Sequence, residues 1–187
     1  MFLEIMAIAI TGNPGVGKHT ICKEILERMK YSILDINKVA QDSNMFEPND
    51  GVNDVDIEKL EKVINEKISD SSLIVGHLAP YVICPEKIDK IIVLRRNPNE
   101  LLEVYKKRGY SEEKAKENAG SEVLGIISFD TLTKFGDKFY QIDVSGKSIK
   151  KVTDIVLSII KGNRLSEEVD WLDMITEKND LKKFFAD

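Results

Sequence analysis

The sequence predicts a three-layer α/β fold, in which helices cover both faces of a mostly parallel, five-stranded sheet. Short apolar runs alternate with amphipathic segments along the chain, as expected for parallel strands joined by crossover helices. The first apolar run leads into a glycine-rich loop and then into a helix, an order typical of nucleotide-binding α/β domains. The length of 187 residues is sufficient for a single domain with a sizeable core.

The first half of the chain predicts two strands and three helices around the glycine-rich loop. The first strand is a continuous apolar run, which is typical of a strand buried on both faces, whereas the second is weaker. The first and third helices place apolar residues at three- and four-residue spacing. We expect strands at 5–10 and 31–36, helices at 18–30, 36–45 and 54–68, and a turn-rich stretch at 46–53.

The second half predicts three more strands and three more helices. Pro98 suits the first position of a helix, Asn97 before it suits an N-cap, and Gly109 marks the helix end. Gly120 and Gly125 are expected to interrupt the helix that follows. We expect strands at 72–76, 90–95 and 138–145, and helices at 97–109, 111–132 and 147–162.

The C-terminal residues 163–187 are distinguished from the domain at 1–162 by their composition. They hold the only tryptophan, Trp171, together with other large apolar residues among many charges. This pattern predicts a helical tail of one or two helices packed on the domain. A segment that binds a partner is the alternative interpretation.

The composition excludes several classes of function. The net charge of −5 leaves no basic excess to neutralise nucleic-acid phosphates, so we expect no direct, sequence-specific nucleic-acid binding. Cys22 and Cys84 form no Cys-x-x-Cys pair and predict neither a disulfide nor a zinc site, which favours the reducing cytoplasm. The N-terminal apolar run carries Glu4, and no run reaches the roughly 20 residues that cross a bilayer, so we expect no membrane association.

The clearest motif is a phosphate-binding loop. Residues 12–18 have the spacing G-x-x-x-x-G-K between a predicted strand and a predicted helix, which is the context that the motif requires. Glycines let backbone N–H groups turn toward an anion, and the helix N-terminus adds its positive dipole. The residues expected to contact the nucleotide phosphates are Gly12, Asn13, Gly15, Val16, Gly17, Lys18, His19 and Thr20.

His19 stands where most phosphate loops carry a serine or threonine that binds Mg²⁺. The stretch "GNPGVGKHT" resembles the G-x-P-G-x-G-K-G-T loop of adenylate kinases and related nucleoside monophosphate kinases, in which glycine follows the lysine. This resemblance implies ATP as the nucleotide, with Mg²⁺ held mainly by phosphates and water rather than by a side chain. Thr20 matches the threonine of that family, and His19 either points away or donates a ring N–H to phosphate.

Most of residues 5–175 resembles a narrower family, the short adenylate kinase–ATPase of archaea and of the eukaryotic nucleus, which is tied to maturation of the small ribosomal subunit. The resemblance rests on "GNPGVGKHT", "IVGHL", "IIVLRRNPNELLEVYKKRGYSEEKAKENAGSE" and "VDWLDMI". It implies a P-loop NMP-kinase-like fold with a helical lid, an NMP-binding segment at about 35–54 and a lid at about 107–117. It also implies ATP and AMP as substrates, an added ATPase activity, and a small-subunit ribosomal protein as partner.

Three residues are the predicted catalytic groups. Lys18 is expected to act as a point charge on the β- and γ-phosphates. Arg108 lies in the segment that resembles the lid, so that closure brings it onto the γ-phosphate and excludes water. His77 follows a predicted strand, where the resemblance implies an imidazole that orients water or a phosphate oxygen. For Arg95 and Arg96, which end a strand, phosphate contact and surface ion pairing remain alternatives.

The acceptor site has the fewest cationic candidates. The segment 35–54 contains no arginine, and Lys38 and Gln41 are the predicted contacts to the phosphate of AMP. Gly76 and Val104 stand where the resembling family has an acid and an arginine. Two alternatives to an adenylate kinase therefore stay open: an ATP-driven ribosome assembly factor with little AMP kinase activity, and a kinase of another small acceptor.

Overall fold

A five-stranded parallel sheet forms the centre of the fold. The structure is a computed structural model that describes residues 6–43, 46–49 and 52–185, except for the side chains of 46–49 and 52–54. The strands are β1 (Ile8–Thr11), β2 (Ser32–Asp35), β3 (Phe46–Asn49), β4 (Val52–Val55), β5 (Ser72–Val75), β6 (Lys90–Arg95) and β7 (Phe139–Asp143). The sheet has the order β2-β5-β1-β6-β7, and its neighbours all pair in parallel, which confirms the predicted fold class.

Helices connect the strands and begin close to the predicted positions. They are α1 (Lys18–Leu26), α2 (Ile36–Asp42), α3 (Ile57–Lys67), α4 (Ala79–Val82), α5 (Pro98–Lys107), α6 (Glu112–Leu124), α7 (Ile126–Phe135), α8 (Ile149–Ile160) and α9 (Trp171–Glu177). Asn97 caps α5 as predicted, since its side chain accepts the N–H of Asn99 and Pro98 is the first helical residue. Part of the strand expected at 5–10 and the end of the helix expected at 36–45 lie outside the described residues.

Two hydrophobic clusters, one on each face of the sheet, make up the core. Successive residues of a strand point to opposite faces, so Ile8 and Ile10 join one cluster while Ala9 joins the other. The first cluster packs the sheet against α1, α6 and α8, and the second packs it against α2 and α3. This two-sided burial explains why the central strands are apolar without interruption.

Two local predictions require correction. Gly125 ends α6 in a left-handed conformation, with φ of +64°, whereas Gly120 lies inside the helix without breaking it. A Cβ at residue 120 would lie 3.1 Å from the carbonyl oxygen of Phe184, so close packing rather than a turn explains that glycine. The stretch 46–53, predicted to be turn-rich, contributes β3 and the first half of β4, which pair as an antiparallel hairpin outside the main sheet.

The glycine-rich loop and the segments that contain His77 and Arg96 lie together at one edge of the sheet, at the carboxyl ends of the parallel strands. β1 lies at the centre, between β5 and β6, and the glycine-rich loop follows it directly. His77 follows β5, and Arg96 follows β6. Ligands of open α/β sheets bind at this edge, beside the strand where the chain reverses its direction of winding. Within the described part of the chain, no helix is both long and apolar enough to cross a membrane.

Candidate phosphate-binding site

The glycine-rich loop adopts a conformation that depends on its glycines. Gly12 has φ of +130°, and a Cβ at this position would lie 2.3 Å from the carbonyl oxygen of Leu94 in β6. Gly17 has φ of +100°, precedes the first residue of α1 and has open space where a Cβ would be. The loop is therefore held tightly against the sheet at one end and opens to solvent at the other, where the N-terminus of α1 presents its free N–H groups.

Lys18 is fixed over this loop. Its Nζ donates to the carbonyl oxygens of Gly12, at 2.8 Å, and of Asn13, at 2.9 Å. The residue is only 6% exposed, and burial lowers the pKa of Lys18 to about 8, an effect that the nearby charge of Arg108 reinforces and that of Glu122 opposes. A buried ammonium with two carbonyl partners retains donor capacity for one further acceptor. An anion entering the loop would supply that acceptor and the missing negative charge.

A cavity of about 400 Å³, termed here the loop cavity, lies above the phosphate loop. Its lining brings together seven of the predicted site residues from separate parts of the chain: Gly15, Gly17, Lys18, His19, Thr20, His77 and Arg108. The remaining lining residues are Pro14, Asn37, Tyr110, Lys114 and Asn118. No carboxylate is among these residues, so the loop cavity is cationic and suits a polyanionic ligand.

The other predicted residues lie away from this lining. Asn13 and Val16 belong to the loop but are buried, at 4% and 3% exposure, so they shape the loop from its protein-facing side. Lys38 and Gln41 are exposed on α2 and do not line the loop cavity, although their neighbour Asn37 does. Their role toward an acceptor remains a prediction.

His77 faces the loop cavity as a neutral group. Burial, and secondarily the charge of Lys18, lower the pKa of His77 to about 4. The imidazole is therefore uncharged near neutral pH and can both donate and accept one hydrogen bond. Arg108, by contrast, is exposed at the C-terminal end of α5, where the positive charge can move onto a ligand.

The segment 107–117, predicted as a lid, comprises the last residue of α5, a short connection and the start of α6. The rings of Tyr105 and Tyr110 stack at 5.2 Å, and Lys114 lies over the ring of Tyr110 at 5.1 Å. The hydroxyl of Tyr105 donates to the carbonyl oxygen of Pro14 at 2.7 Å, which ties α5 to the phosphate loop. This packing positions Arg108 beside the loop cavity.

Glu122 is a functional candidate that the sequence indicated only as part of a family resemblance. It is 1% exposed and forms a buried ion pair with Arg95, whose Nε donates at 2.7 Å. Its other carboxylate oxygen accepts the side-chain amide of Asn13 at 2.7 Å. Arg95 therefore matches neither expected alternative, phosphate contact or surface ion pairing, because its ion pair with Glu122 is buried. Arg96 bonds to Glu100 and to the backbone of the phosphate loop.

A smaller cavity of about 240 Å³, termed the side cavity, adjoins the loop cavity and shares two residues with it, Gly17 and Thr20. The other residues of its lining are Val16, Ile21, Arg96, Val144, Lys147, Ile149 and Val152. The walls are mostly aliphatic, with two cationic side chains. The sequence did not indicate this site, because its residues come from the phosphate loop, α1, the residue after β6, the loop after β7, and α8.

His19 forms a hydrogen bond with an acidic neighbour instead of lying free. Its Nε2 lies 2.8 Å from Oδ2 of Asp35, and the other oxygen of Asp35 caps α2 by accepting the N–H groups of Asn37 and Lys38. Among the described residues, no group of three or more His, Cys, Asp or Glu side chains could hold a metal ion. The hydroxyl of Thr20 in the lining and the phosphates of a bound nucleotide are hard oxygen donors, the type of ligand that Mg²⁺ prefers.

Comparison with known proteins identifies relatives along most of the chain. Residues 8–125, more than half of the chain, match the protein family described as "AAA domain". A protein of Thermococcus kodakarensis named "Putative adenylate kinase" is 30% identical over 175 residues, which cover 92% of this chain and 96% of that protein. A protein of the same name from Methanocaldococcus jannaschii is 35% identical over 172 residues, covering 89% and 93%.

Solved structures with the same fold include a kinase and a resistance protein. The shikimate kinase of Bacteroides thetaiotaomicron matches with a TM-score of 0.57 at 12% identity, covering 83% of this chain and 98% of that chain. The tunicamycin resistance protein of Deinococcus radiodurans matches with a TM-score of 0.53 at 16% identity, covering 87% and 99%. Likeness at these identities establishes the fold alone, which is that of P-loop kinases.

Proposed function

The chain belongs to the AAA domain family, and from this membership and the site we propose that it is an adenylate kinase, which transfers the γ-phosphoryl group of ATP to AMP and yields two ADP. That it is a P-loop nucleotide kinase follows from the family, the relatives and the fold. The identity of the acceptor, AMP, is the part that we propose beyond this assignment.

The observation that carries the proposal is the convergence of cationic groups on one cavity. Lys18, Arg108 and Lys114 line the loop cavity together with the N-terminus of α1, and the lining contains no carboxylate. Transfer between two nucleotides brings many negative charges to one place, and catalysis then depends on position and electrostatic stabilisation. Lys18 would bind the β- and γ-phosphates, and Arg108 would compensate charge on the transferred group. An in-line transfer requires no covalent intermediate on the protein.

His77 would act on the same phosphates without adding charge. Because its imidazole is neutral near pH 7, it can hold a water molecule or a phosphate oxygen by a directed hydrogen bond. Thr20 lines both cavities and offers a hydroxyl to the phosphates. When bound to the phosphates, Mg²⁺ supplies further charge neutralisation, and no side-chain carboxylate of the loop cavity is required to hold it.

The side cavity suits the base of ATP. It shares Gly17 and Thr20 with the loop cavity, so a nucleotide with its phosphates on the loop can extend into it. Aliphatic residues such as Val144 and Val152 would contact the faces of a planar ring, and Arg96 would stack on it or contact its polar edge.

AMP would enter from the opposite side, along the segment 35–54. Asn37 lines the loop cavity, and Lys38 and Gln41 lie on the same short helix α2. Because the hairpin formed by β3 and β4 lies outside the main sheet, we expect it to close toward the phosphates when AMP binds. The predicted contacts to the AMP phosphate would form in that closed state.

An ATP-driven assembly factor for the small ribosomal subunit, with little AMP kinase activity, is the second candidate. The observation in its favour is the scarcity of acceptor contacts, since Lys38 and Gln41 lie outside the lining of the loop cavity. Its partner would be a small-subunit ribosomal protein, as the sequence resemblance implies. ATP hydrolysis stimulated by that partner and indifferent to AMP would favour this candidate.

The acceptor can be identified by measuring ADP formation from ATP and Mg²⁺ with AMP, with each of the other nucleoside monophosphates, and with no acceptor. The proposal predicts that AMP raises the rate most. Lys38→Ala and Gln41→Ala should then raise KM for AMP while leaving KM for ATP unchanged. A rate that no monophosphate alters would contradict the proposal.

A further inference from the structure

Four hydrogen-bond donors from distant parts of the chain converge on the side-chain carboxylate of Glu122 in α6. Oε1 accepts from Nε of Arg95 at 2.7 Å, from the backbone N–H of Arg96 at 3.1 Å and from Nε1 of Trp171 at 3.1 Å. Oε2 accepts from Nδ2 of Asn13 at 2.7 Å. A carboxylate can accept about four hydrogen bonds, and this one accepts four from the protein, three at Oε1 and one at Oε2. We refer to Asn13, Arg95, Glu122 and Trp171 as the Glu122 cluster.

One branch of the Glu122 cluster reaches the phosphate loop. The Asn13 side chain is held by Glu122, while the Asn13 carbonyl oxygen accepts Nζ of Lys18 at 2.9 Å. The position of the carboxylate therefore sets the position of a loop residue that in turn holds the lysine. Since Asn13 is 4% exposed, no water from bulk solvent replaces these contacts when they are lost.

The other branch reaches the C-terminal segment. Trp171 is the first residue of α9, and the rest of that segment is anchored by Ile175 and Phe184, which are 0% and 2% exposed in the first core cluster. The residues that lead to it, 163–170, are mostly exposed and form no helix or strand. The indole N–H is thus the polar contact by which this segment reaches the carboxylate, in addition to its apolar packing.

We propose that Glu122 is a positioning residue of the phosphate loop, and that Trp171 completes its placement, so that docking of the C-terminal segment and binding of nucleotide phosphates strengthen each other. This rests on the proposed use of the loop for ATP, but not on AMP as the acceptor. Glu122 does not touch the loop cavity and acts through Asn13. Docking of the indole on Glu122 raises the affinity of the loop for nucleotide by some factor. By thermodynamic reciprocity, bound nucleotide raises the equilibrium constant for docking of the indole by the same factor.

The test is the affinity of the full-length protein for ADP, measured by calorimetry, with Trp171→Phe as the principal variant. Phenylalanine retains an aromatic ring but removes the indole N–H, one of the four donors to Glu122. Loss of this hydrogen bond, one of the series that links Trp171 through Glu122 and Asn13 to Lys18, should weaken ADP binding about threefold. The matched control is Leu172→Ala at the next residue of the same helix, which is 41% exposed, so both the docking of the segment and the indole donor stay in place and the affinity should equal that of the unaltered protein.

Two further measurements separate coupling from a general loss of stability. Asn13→Ala should also weaken ADP binding, and the double variant with Trp171→Phe should lose little more than Asn13→Ala alone, because both changes act through Glu122. Trp171 is the only tryptophan, so its fluorescence in the unaltered protein should change as ADP saturates the loop. Asn13→Ala should abolish that change even at concentrations where ADP is bound.

The outcomes distinguish this inference from the proposed function. Equal ADP affinity of Trp171→Phe and the unaltered protein would overturn the coupling, and so would fully additive losses in the double variant. Neither result depends on which acceptor receives the phosphoryl group. Failure of AMP to stimulate ADP formation would instead contradict the adenylate kinase proposal while the binding results stood.

Discussion

Replacing Glu122 with glutamine is expected to destabilise the protein strongly, because it removes the charge that compensates a buried arginine. The side chains of Arg95 and Glu122 are 5% and 1% exposed and meet at 2.7 Å. Glutamine has nearly the same shape, so no cavity forms. The side-chain NH₂ group of glutamine is, however, a donor, and it would face the N–H donors of Arg95 and Trp171 or that of Asn13. These donors require an acceptor at both positions.

The magnitude follows from the burial of the pair. Breaking a buried ion pair by removing one partner costs about 3–5 kcal/mol, since the remaining charge stays desolvated. The control is Asp154→Asn, which breaks the pair that Arg28 and Asp154 form at 2.9 Å with side chains 36% and 51% exposed. That exposed pair is worth at most about 1 kcal/mol.

Urea denaturation followed by far-ultraviolet circular dichroism gives both free energies of unfolding without nucleotide. The reasoning predicts a large loss for Glu122→Gln and a small one for Asp154→Asn. Similar losses below about 1 kcal/mol for both variants would refute the idea that Glu122 holds a buried charge in place.

Three further predictions concern the phosphate loop and its surroundings. Burial lowers the pKa of Lys18 to about 8, so the ammonium loses its proton as the pH rises through that value, and a pH profile of kcat/KM for ATP should fall above it. Gly12→Ala should lower the free energy of unfolding by at least about 2 kcal/mol in urea denaturation, because the added Cβ would meet the carbonyl oxygen of Leu94 at 2.3 Å with φ at +130°. Arg108→Ala should lower kcat/KM for ATP at least about tenfold in steady-state assays, whereas Lys107→Ala, which removes an exposed charge outside the cavity lining, should not.

Elements with strong local signals were predicted almost to the residue. The strand expected at 90–95 is β6, because a short, continuous apolar run bounded by charged residues is typical of a buried parallel strand. The helix α5 begins where Asn97 and Pro98 place it, since capping and the fixed φ of proline are local properties. In such cases the sequence alone carries the physical cause.

Elements that depend on packing between distant residues could not be predicted from local sequence signals. Gly120 and Gly125 look equivalent in the sequence, yet only Gly125, with φ of +64°, ends the helix, whereas Gly120 is a glycine because Phe184 packs closely against it. The Asn, Asp and Gly residues within 46–53 predict a turn-rich stretch, whereas the structure places β3 and β4 there as a hairpin. An Asp-Gly pair between two short runs is also a hairpin signal.

The candidate site shows the same division. Phosphate-loop geometry follows from the spacing of Gly12, Gly17 and Lys18, which the sequence displays. The pairing of Arg95 with Glu122, separated by 27 positions, depends on how α6 lies against β6 and left phosphate contact open as an alternative. The side cavity likewise draws residues from both ends of the chain. Long-range juxtaposition of this kind requires the fold.

The central claim is that the loop around Lys18 transfers a phosphoryl group from ATP to AMP. The most direct measurement is the initial rate of ADP formation with ATP, Mg²⁺ and AMP, compared between the unaltered protein and Lys18→Ala. The account predicts a rate that requires AMP and that falls at least about 100-fold in the variant, as when one preorganised charge donor is removed. An AMP-dependent rate that survives the substitution would contradict it.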